Sequence, residues 1–173
     1  MREKGGRKGQ DSEEADEDGL SLAAIERRFE RVENVNEWCK CGKCSVQNLV
    51  GAREYRCCWE VHPAFGKLTF DGSVDRIRCV TLHDEYIALS NRIVLKQVGP
   101  LLKDRQGRGY RRRGNQTENE YARAVAYRWL VRWIFGPMGW DNTRPLPACI
   151  YEEIRSRFPT TSLRGYATTE ERD

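Results

Sequence analysis

The stretch Trp38-Cys39-Lys40-Cys41-Gly42-Lys43-Cys44 holds three of the seven cysteines of this chain. The pair Cys57-Cys58 follows about a dozen residues later, and the other two cysteines, Cys79 and Cys149, stand alone. Thiols at two- and three-residue spacing either bind a soft, tetrahedral metal or form disulfides. This spacing favours a metal, and we expect the metal site to take the place of a large apolar core in this turn-rich part of the chain.

The number of cysteines predicts the form of the site. A tetrahedral ion takes four ligands, so two separate ions would need eight thiolates, whereas seven suffice if one thiolate bridges two ions. Side chains at Cys57 and Cys58 would point apart in an extended segment and could then reach different ions. The alternative is one ion with three cysteines left over, with His62 or His83 as a further ligand. Both forms are closed and structural, and the spacing does not identify the bridging cysteine.

Composition points to an intracellular protein without a membrane span. No stretch approaches 18 apolar residues, because Arg128 and Arg132 interrupt the longest candidate. The basic residues near Met1 have no apolar segment behind them, so we expect no signal peptide. We therefore expect a cytoplasmic location, in which stable disulfides are unusual. Charged residues make up 32% of the chain and the mean hydropathy is -0.76, which indicates a small core.

Charge is unevenly distributed. Residues 1–19 contain four basic and seven acidic residues, a net charge of -3, and we expect a disordered acidic tail there. The rest of the chain carries +7, which suggests an anionic partner such as phosphate, nucleic acid or a lipid surface, or simply a solubilising surface. Residues 103–114 contain five arginines, one lysine and three glycines, and we expect a mobile basic loop.

The pattern beyond the tail predicts a mainly α fold with a few short strands, a small zinc-stabilised α+β domain. Residues 20–36 form a leader helix in this prediction, with Leu22, Ile25, Phe29 and Val32 on one face. It would dock on the domain or on another copy of the chain. The other predicted helices cover residues 84–98, 117–136 and 147–158, and the predicted strands cover residues 56–61 and 78–82.

Several motifs, in order, resemble one family. Trp38-Cys39-x-Cys41-Gly42-x-Cys44, the Cys57-Cys58 pair and Cys79-Val80-Thr81 are similar to the cytoplasmic C-terminal "ballast" domain of the purinoceptor subtype seven, an ATP-gated channel. The similarity continues through Arg123-Ala124-Val125-Ala126-Tyr127-Arg128 and through Leu146-Pro147-Ala148-Cys149 to Phe158-Pro159 and Gly165-Tyr166. It covers about 130 residues. We therefore expect a stand-alone domain over residues 37–166, followed by a tail over residues 167–173.

The resemblance implies a site with two zinc ions held by all seven cysteines, and a pocket for GDP or GTP. Arg123 and Tyr127 match the family's nucleotide site, and Arg144, Gly165 and Tyr166 lie near its expected position. Ala124 replaces a histidine of the family pattern and Thr160 replaces a lysine, and each change removes a polar contact. Because the sequence shows no transmembrane segment and no cysteine-rich stretch before Trp38, we expect neither an attached channel nor a palmitoylated anchor.

These observations predict a non-enzymatic regulatory or interaction domain that is stabilised by zinc and binds a guanine nucleotide, with protein partners unspecified. The alternative is a zinc-stabilised nucleic-acid-binding module that uses the basic residues 105–113. Its weakness is that Tyr110 is the one aromatic residue in that run. An enzyme is disfavoured, since Gly107-x-Gly109 is not followed by the Gly-Lys-Ser/Thr of a P-loop and no acid–base pair stands out.

Overall fold

The computed structural model of the chain describes residues 14–69, 76–139, 143–161 and 166. About half of these residues are helical, so the mainly α class predicted from the sequence is confirmed. Across the same ranges, β-type backbone pairing is confined to two isolated bridges, Ala15 with Ser21 and Lys103 with Gly109. None of the described helices is both long enough and apolar enough to cross a lipid bilayer.

The elements are short except for the two that follow the basic loop. In chain order the α-helices are α1 (Leu22–Phe29), α2 (Val35–Trp38), α3 (His62–Gly66), α4 (Asp84–Leu89), α5 (Arg92–Val98), α6 (Glu118–Phe135) and α7 (Ala148–Arg157). Single 3-10 turns cover Ala52–Glu54, Cys58–Glu60, Val80–Leu82 and Gly99–Leu101. The predicted strands over residues 56–61 and 78–82 are therefore wrong, because each segment contains a 3-10 turn that begins at or next to a cysteine.

The long helix α6 forms as its sequence predicts. The Thr117 side chain accepts a hydrogen bond from the backbone N–H of Glu120 at 3.1 Å, and Gly136 ends the helix with φ of 80°. The face it buries runs through Ala122, Ala126 and Leu130. The aromatic side chains of Tyr121, Trp129 and Trp133 are only partly buried. The predicted helix over residues 84–98 is instead two helices, because Asn91 caps a new helix through the backbone N–H of Ile93.

The leader helix docks on its own chain. Arg28 of α1 forms a two-pronged ion pair with Glu60, at 2.9 and 2.8 Å, and donates to the Tyr55 carbonyl at 3.1 Å. Its guanidinium also lies 5.0 Å from the centre of the Trp38 ring. The helix ends at Phe29, earlier than predicted, and Arg31 follows in a left-handed conformation with φ of 64°. Of the two docking modes left open by the sequence, the structure shows the intramolecular one.

The acidic segment before the leader helix is partly ordered, which corrects the prediction of disorder for residues 14–19. Asp16 and Asp18 form ion pairs with the completely buried guanidinium of Arg56, at 2.8 and 2.6 Å. Asp18 also contacts Arg144 at 2.5 Å. Burial raises the pKa of Asp18, while the charges of the two arginines oppose that rise. The segment therefore neutralises cations that would otherwise be buried alone.

Candidate metal centre and the adjoining arginine network

The seven cysteine thiols form two groups of four that share one member. The first group contains Cys39, Cys41, Cys44 and Cys57, and the second contains Cys41, Cys58, Cys79 and Cys149. Within each group all sulfur atoms lie within 4.8 Å of one another. The Sγ of Cys41 is 3.7 Å from that of Cys39 and 3.7 Å from that of Cys44. A zinc ion with Zn–S bonds of about 2.3 Å would separate its sulfur ligands by about 3.8 Å, so this spacing fits a tetrahedral ion.

All seven cysteines are free thiols, so the alternative of disulfides is not what the structure shows. Neither histidine belongs to the two groups of thiols. His62 is exposed, and Nδ1 of His83 accepts a hydrogen bond from the backbone N–H of Glu85 at 3.0 Å. Both groups therefore offer sulfur alone. A donor set of four thiolates without an open position is typical of a structural site rather than a catalytic one.

The first group is built by a tight loop that follows α2. The helix ends at Trp38 with Cys39 as its C-cap, and Gly42 takes a φ of 76°, a conformation that glycine adopts without steric cost. The backbone N–H of Lys43 points at the Cys41 sulfur at 3.4 Å, and that of Lys40 points at the Cys57 sulfur at the same distance. Such N–H contacts favour the thiolate form that a metal requires.

The second group joins three parts of the chain that are distant in sequence. Cys58 starts a 3-10 turn, Cys79 caps another, and Cys149 lies in the first turn of α7. The Cys79 sulfur also contacts the backbone N–H of Thr81 at 3.4 Å and its hydroxyl at 3.0 Å. A metal ion bound here would tie the last helix to the cysteine-rich loop, which explains how so short a set of elements can hold together.

The thiols strongly influence one another's ionisation. Contact with the Cys149 thiol lowers the pKa of Cys41 most strongly, and contacts with the other thiols of the first group lower it further. Contact with Cys39 lowers the pKa of Cys57 to about 3. Burial raises the pKa of Cys149. Contact with Cys149 lowers the pKa of Cys79 as well, so Cys41, Cys57 and Cys79 are favoured as thiolates, and a cation placed between the sulfurs would extend that preference to the rest.

Arg123, which the resemblance places in a nucleotide site, supports the end of α7 in this structure. Its Nε and Nη2 donate to the Phe158 carbonyl at 3.1 and 2.8 Å, and Nη2 also donates to the Arg155 carbonyl at 3.2 Å. A cation at this end of a helix satisfies carbonyls that lack partners within the helix. Its remaining nitrogen, Nη1, makes no hydrogen bond to the described part of the chain.

Tyr127 and Tyr166, which the resemblance also places near the nucleotide, are linked to Arg123 through a buried ion pair. Arg155 and Glu54 form two parallel hydrogen bonds of 2.8 Å, and both side chains are inaccessible to solvent. Arg155 Nε donates to the Tyr127 hydroxyl at 2.9 Å, and its guanidinium stacks 4.5 Å from the ring centre of Tyr151. Glu54 also accepts from the backbone N–H of Tyr166 at 2.6 Å. The structure thus brings Arg123, Tyr127 and Tyr166 to one region.

Arg144 lies at the edge of this region, while Gly165 lies outside the described residues. The Arg144 guanidinium pairs with Asp18 and stacks 4.2 Å from the ring centre of Phe135. Its neighbour Thr143 provides the carbonyl that accepts from the Tyr166 hydroxyl at 3.4 Å. Sequence reasoning did not single out Glu54 and Arg155, the centre of the network, because they lie 101 positions apart and local spacing does not reveal their pairing.

Comparisons with known proteins give no relative: no family model matches the chain, and neither does any curated protein or solved structure. The similarity to the purinoceptor domain therefore rests on the sequence motifs described above. What the structure adds is the arrangement of the cysteines and the proximity of the residues that those motifs single out.

Proposed function

We propose that this chain is a zinc-stabilised, non-enzymatic regulatory or interaction domain that holds two zinc ions through seven thiolates. The observation that carries the proposal is the sharing of Cys41 between two groups of four sulfurs. Sulfur-only tetrahedral sites select zinc over calcium, magnesium and manganese, which prefer oxygen. An iron–sulfur cluster is the main competitor for such ligands, and metal analysis distinguishes the two directly.

The proposal assigns the metal a structural role. The ligands come from the loop after α2, from two 3-10 turns and from α7, so the ions join segments that bury little apolar surface by themselves. Where a site forms only in the folded chain, the free energy of metal binding contributes directly to folding. With every ligand position filled by sulfur, such ions have no position for a substrate or a reactive water.

The test is removal of the metal under reducing conditions. A strong zinc chelator should abolish the helical circular dichroism signal and the cooperative thermal transition, and added zinc should restore both. Added magnesium is the matched control and should not restore the transition, because it prefers oxygen ligands. A chain that keeps its signal and its melting temperature after elemental analysis shows that all metal is gone would contradict the proposal.

We further propose that a guanine nucleotide binds at the Arg123 guanidinium, next to the buried Arg155–Glu54 ion pair. The support is that Arg123, Tyr127 and Tyr166 meet in one region, and that Nη1 of Arg123 has no hydrogen-bond partner in the described chain. Two nitrogens of this guanidinium are fixed by carbonyls, so the third is held in place for an anionic group. The hydroxyl of Tyr127 is likewise fixed by Arg155.

Ala124 and Thr160 provide a test that does not disturb this network. Both are half-buried, and both replace polar residues of the family pattern. Isothermal titration should show GDP binding to the wild-type chain, and the double substitution Ala124→His with Thr160→Lys should tighten it by restoring two polar contacts. Titration with ADP is the control for base recognition. Absence of GDP binding in both proteins, with zinc content intact, would contradict the nucleotide proposal and leave the metal proposal standing.

A further inference from the structure

The basic loop between α5 and α6 forms an ordered, concave surface. It lines a depression of about 780 Å³ that contains five cationic side chains, those of Lys103, Arg108, Arg111, Arg112 and Arg113. Asp104 is the single acidic residue in the lining. A concave surface lined by so many cations concentrates anions, because the electrostatic fields of the neighbouring cations add within the depression.

Asp104 shapes the loop from within. Its carboxylate accepts hydrogen bonds from the backbone N–H groups of Gln106 and Arg108, both at 2.9 Å, and contacts Arg113 at 3.3 Å. Tyr110 N–H donates to the Gly99 carbonyl at 3.0 Å. At Gly109 an added Cβ would collide with the Pro100 carbonyl, so glycine allows the two segments to touch. The sequence-based prediction of a mobile loop is therefore not supported by these contacts.

Several cations of the loop are available to a ligand. The side chains of Lys103, Arg108 and Arg111 make no hydrogen bond or ion pair with the described residues, and all three are exposed. Arg112 Nε donates to the Gln116 carbonyl at 2.7 Å, whereas its Nη1 forms only a long ion pair with Glu118, at 3.8 Å between two exposed side chains. Such exposed pairs contribute little, so Arg112 can exchange its partner for an anion at small cost.

A second depression, of about 730 Å³, adjoins the first and shares Arg111 and Arg112 with it. Its lining combines the cations Arg92 and Lys96 with apolar surface from Ile93, Pro100, Tyr110 and Tyr121. Ile93 is 71% exposed, which is unusual for a large aliphatic side chain. The loop itself thus provides Tyr110, while Ile93 of α5, Pro100 and Tyr121 in the first turn of α6 provide the rest of the apolar surface.

We propose that these two depressions bind single-stranded nucleic acid, with phosphates along the arginines of the first and an unstacked base on the apolar surface of the second. A cationic groove beside surfaces that contact bases is the general arrangement of single-strand binders. The two linings together hold seven cations and two acidic residues, Asp104 and Glu118, a net charge of +5 that exceeds what one nucleoside monophosphate could neutralise, which favours a chain of phosphates. A duplex keeps its bases stacked and would leave the apolar depression empty.

Fluorescence anisotropy with a labelled oligouridylate of about a dozen nucleotides tests the phosphate contacts. Arg108→Gln with Arg111→Gln should weaken binding about tenfold and reduce the slope of log K against log salt by about 1.4, since each phosphate contact to a single strand contributes about 0.7. Arg27→Gln with Arg31→Gln is the matched control. It removes the same charge from exposed positions on and just after α1 and should leave the slope unchanged.

A second variant tests the base contact separately. Ile93→Ser should weaken oligouridylate binding severalfold without changing the binding of inorganic polyphosphate, which has no base. Because Ile93 is exposed, this substitution should not alter the melting temperature. The inference is independent of the guanine-nucleotide site, so saturating GDP should leave oligouridylate binding unchanged.

Three results would overturn the inference. The loop variant and its control could lose affinity equally, which would show a diffuse charge effect. Polyphosphate of equal charge could displace the oligouridylate as well as unlabelled oligouridylate does, with Ile93→Ser having no effect. The protein could also bind phosphatidylserine vesicles through this face while failing to bind the oligouridylate, which would assign the surface to a membrane.

Discussion

Cys57 and Cys58 are neighbours in the chain, yet their thiols belong to different groups of four sulfurs. The Cys57 thiol faces the loop after α2, and the Cys58 thiol faces Cys79 and Cys149. One peptide bond therefore connects the two halves of the centre, and the Cys41 sulfur connects them a second time. A centre built in this way should respond differently to the loss of a shared ligand and of an unshared one.

Substitution of Cys41 should remove more metal than substitution of Cys39. Cys41→Ser takes a ligand from both groups, so we expect loss of both ions and of cooperative unfolding. Cys39→Ser takes a ligand from the first group alone and should retain about one ion per chain. Elemental analysis and thermal unfolding of the two variants check this expectation. Equal metal content in the two variants would contradict the shared position of Cys41.

The buried pair between Glu54 and Arg155 should be essential for stability. Glu54→Gln leaves the Arg155 guanidinium uncompensated in a site without solvent, and we expect a loss of about 3–5 kcal/mol in the free energy of unfolding. Glu26→Gln, at an exposed position of α1, is the matched control and should change stability by about 0.5 kcal/mol or less. Urea unfolding measures both, and similar values for the two variants would refute the importance of the pair.

Asp18 should anchor the segment that precedes the leader helix. Asp18→Asn removes the shared partner of Arg56 and Arg144, and we expect a loss of about 2 kcal/mol, below the 3–5 kcal/mol of a fully broken buried pair because Asp16 still pairs with Arg56. Glu17→Gln alters the adjacent, exposed residue and should have little effect. Chemical denaturation distinguishes these outcomes. Equal stability of the two variants would mean that the segment does not contribute to folding.

Alkaline pH should destabilise the fold through its buried tyrosines. Burial raises the pKa of Tyr86 and of Tyr151 in the folded chain. The unfolded chain therefore releases these protons first, and stability should fall as the pH rises above about 10, the ordinary value for tyrosine. Spectrophotometric titration should show these phenols ionising together with the loss of circular dichroism. Ionisation of every tyrosine near pH 10 in a chain that is still folded would contradict this prediction.

Local sequence rules predicted the parts of the fold that depend on local contacts. Thr117 and Gly136 delimit α6 because a cap and a left-handed glycine act within one helical turn. The count of seven cysteines predicted two groups of four thiols that share one member, with a single site as the alternative, and the structure shows the two groups. The strands predicted around Cys58 and Val80 failed because the sulfur groups impose tight turns on residues that favour strands in isolation.

Contacts between distant residues could not be predicted in the same way. The order of residues 14–19 depends on Arg56, whose burial is a tertiary property that composition does not reveal. The role of Arg123 at the end of α7 depends on carbonyls 32 and 35 positions away. The second depression, beside residues 103–113, likewise takes apolar surface from Ile93 of α5, Pro100 and Tyr121, which lie outside the loop.

Native mass spectrometry of the reduced, zinc-supplemented protein counts the bound ions and so tests directly whether the seven thiolates hold two zinc ions. We predict one dominant folded species that carries two zinc ions per chain. A folded species without metal, or one that saturates at a single zinc ion, would contradict the proposal of two tetrahedra joined at Cys41.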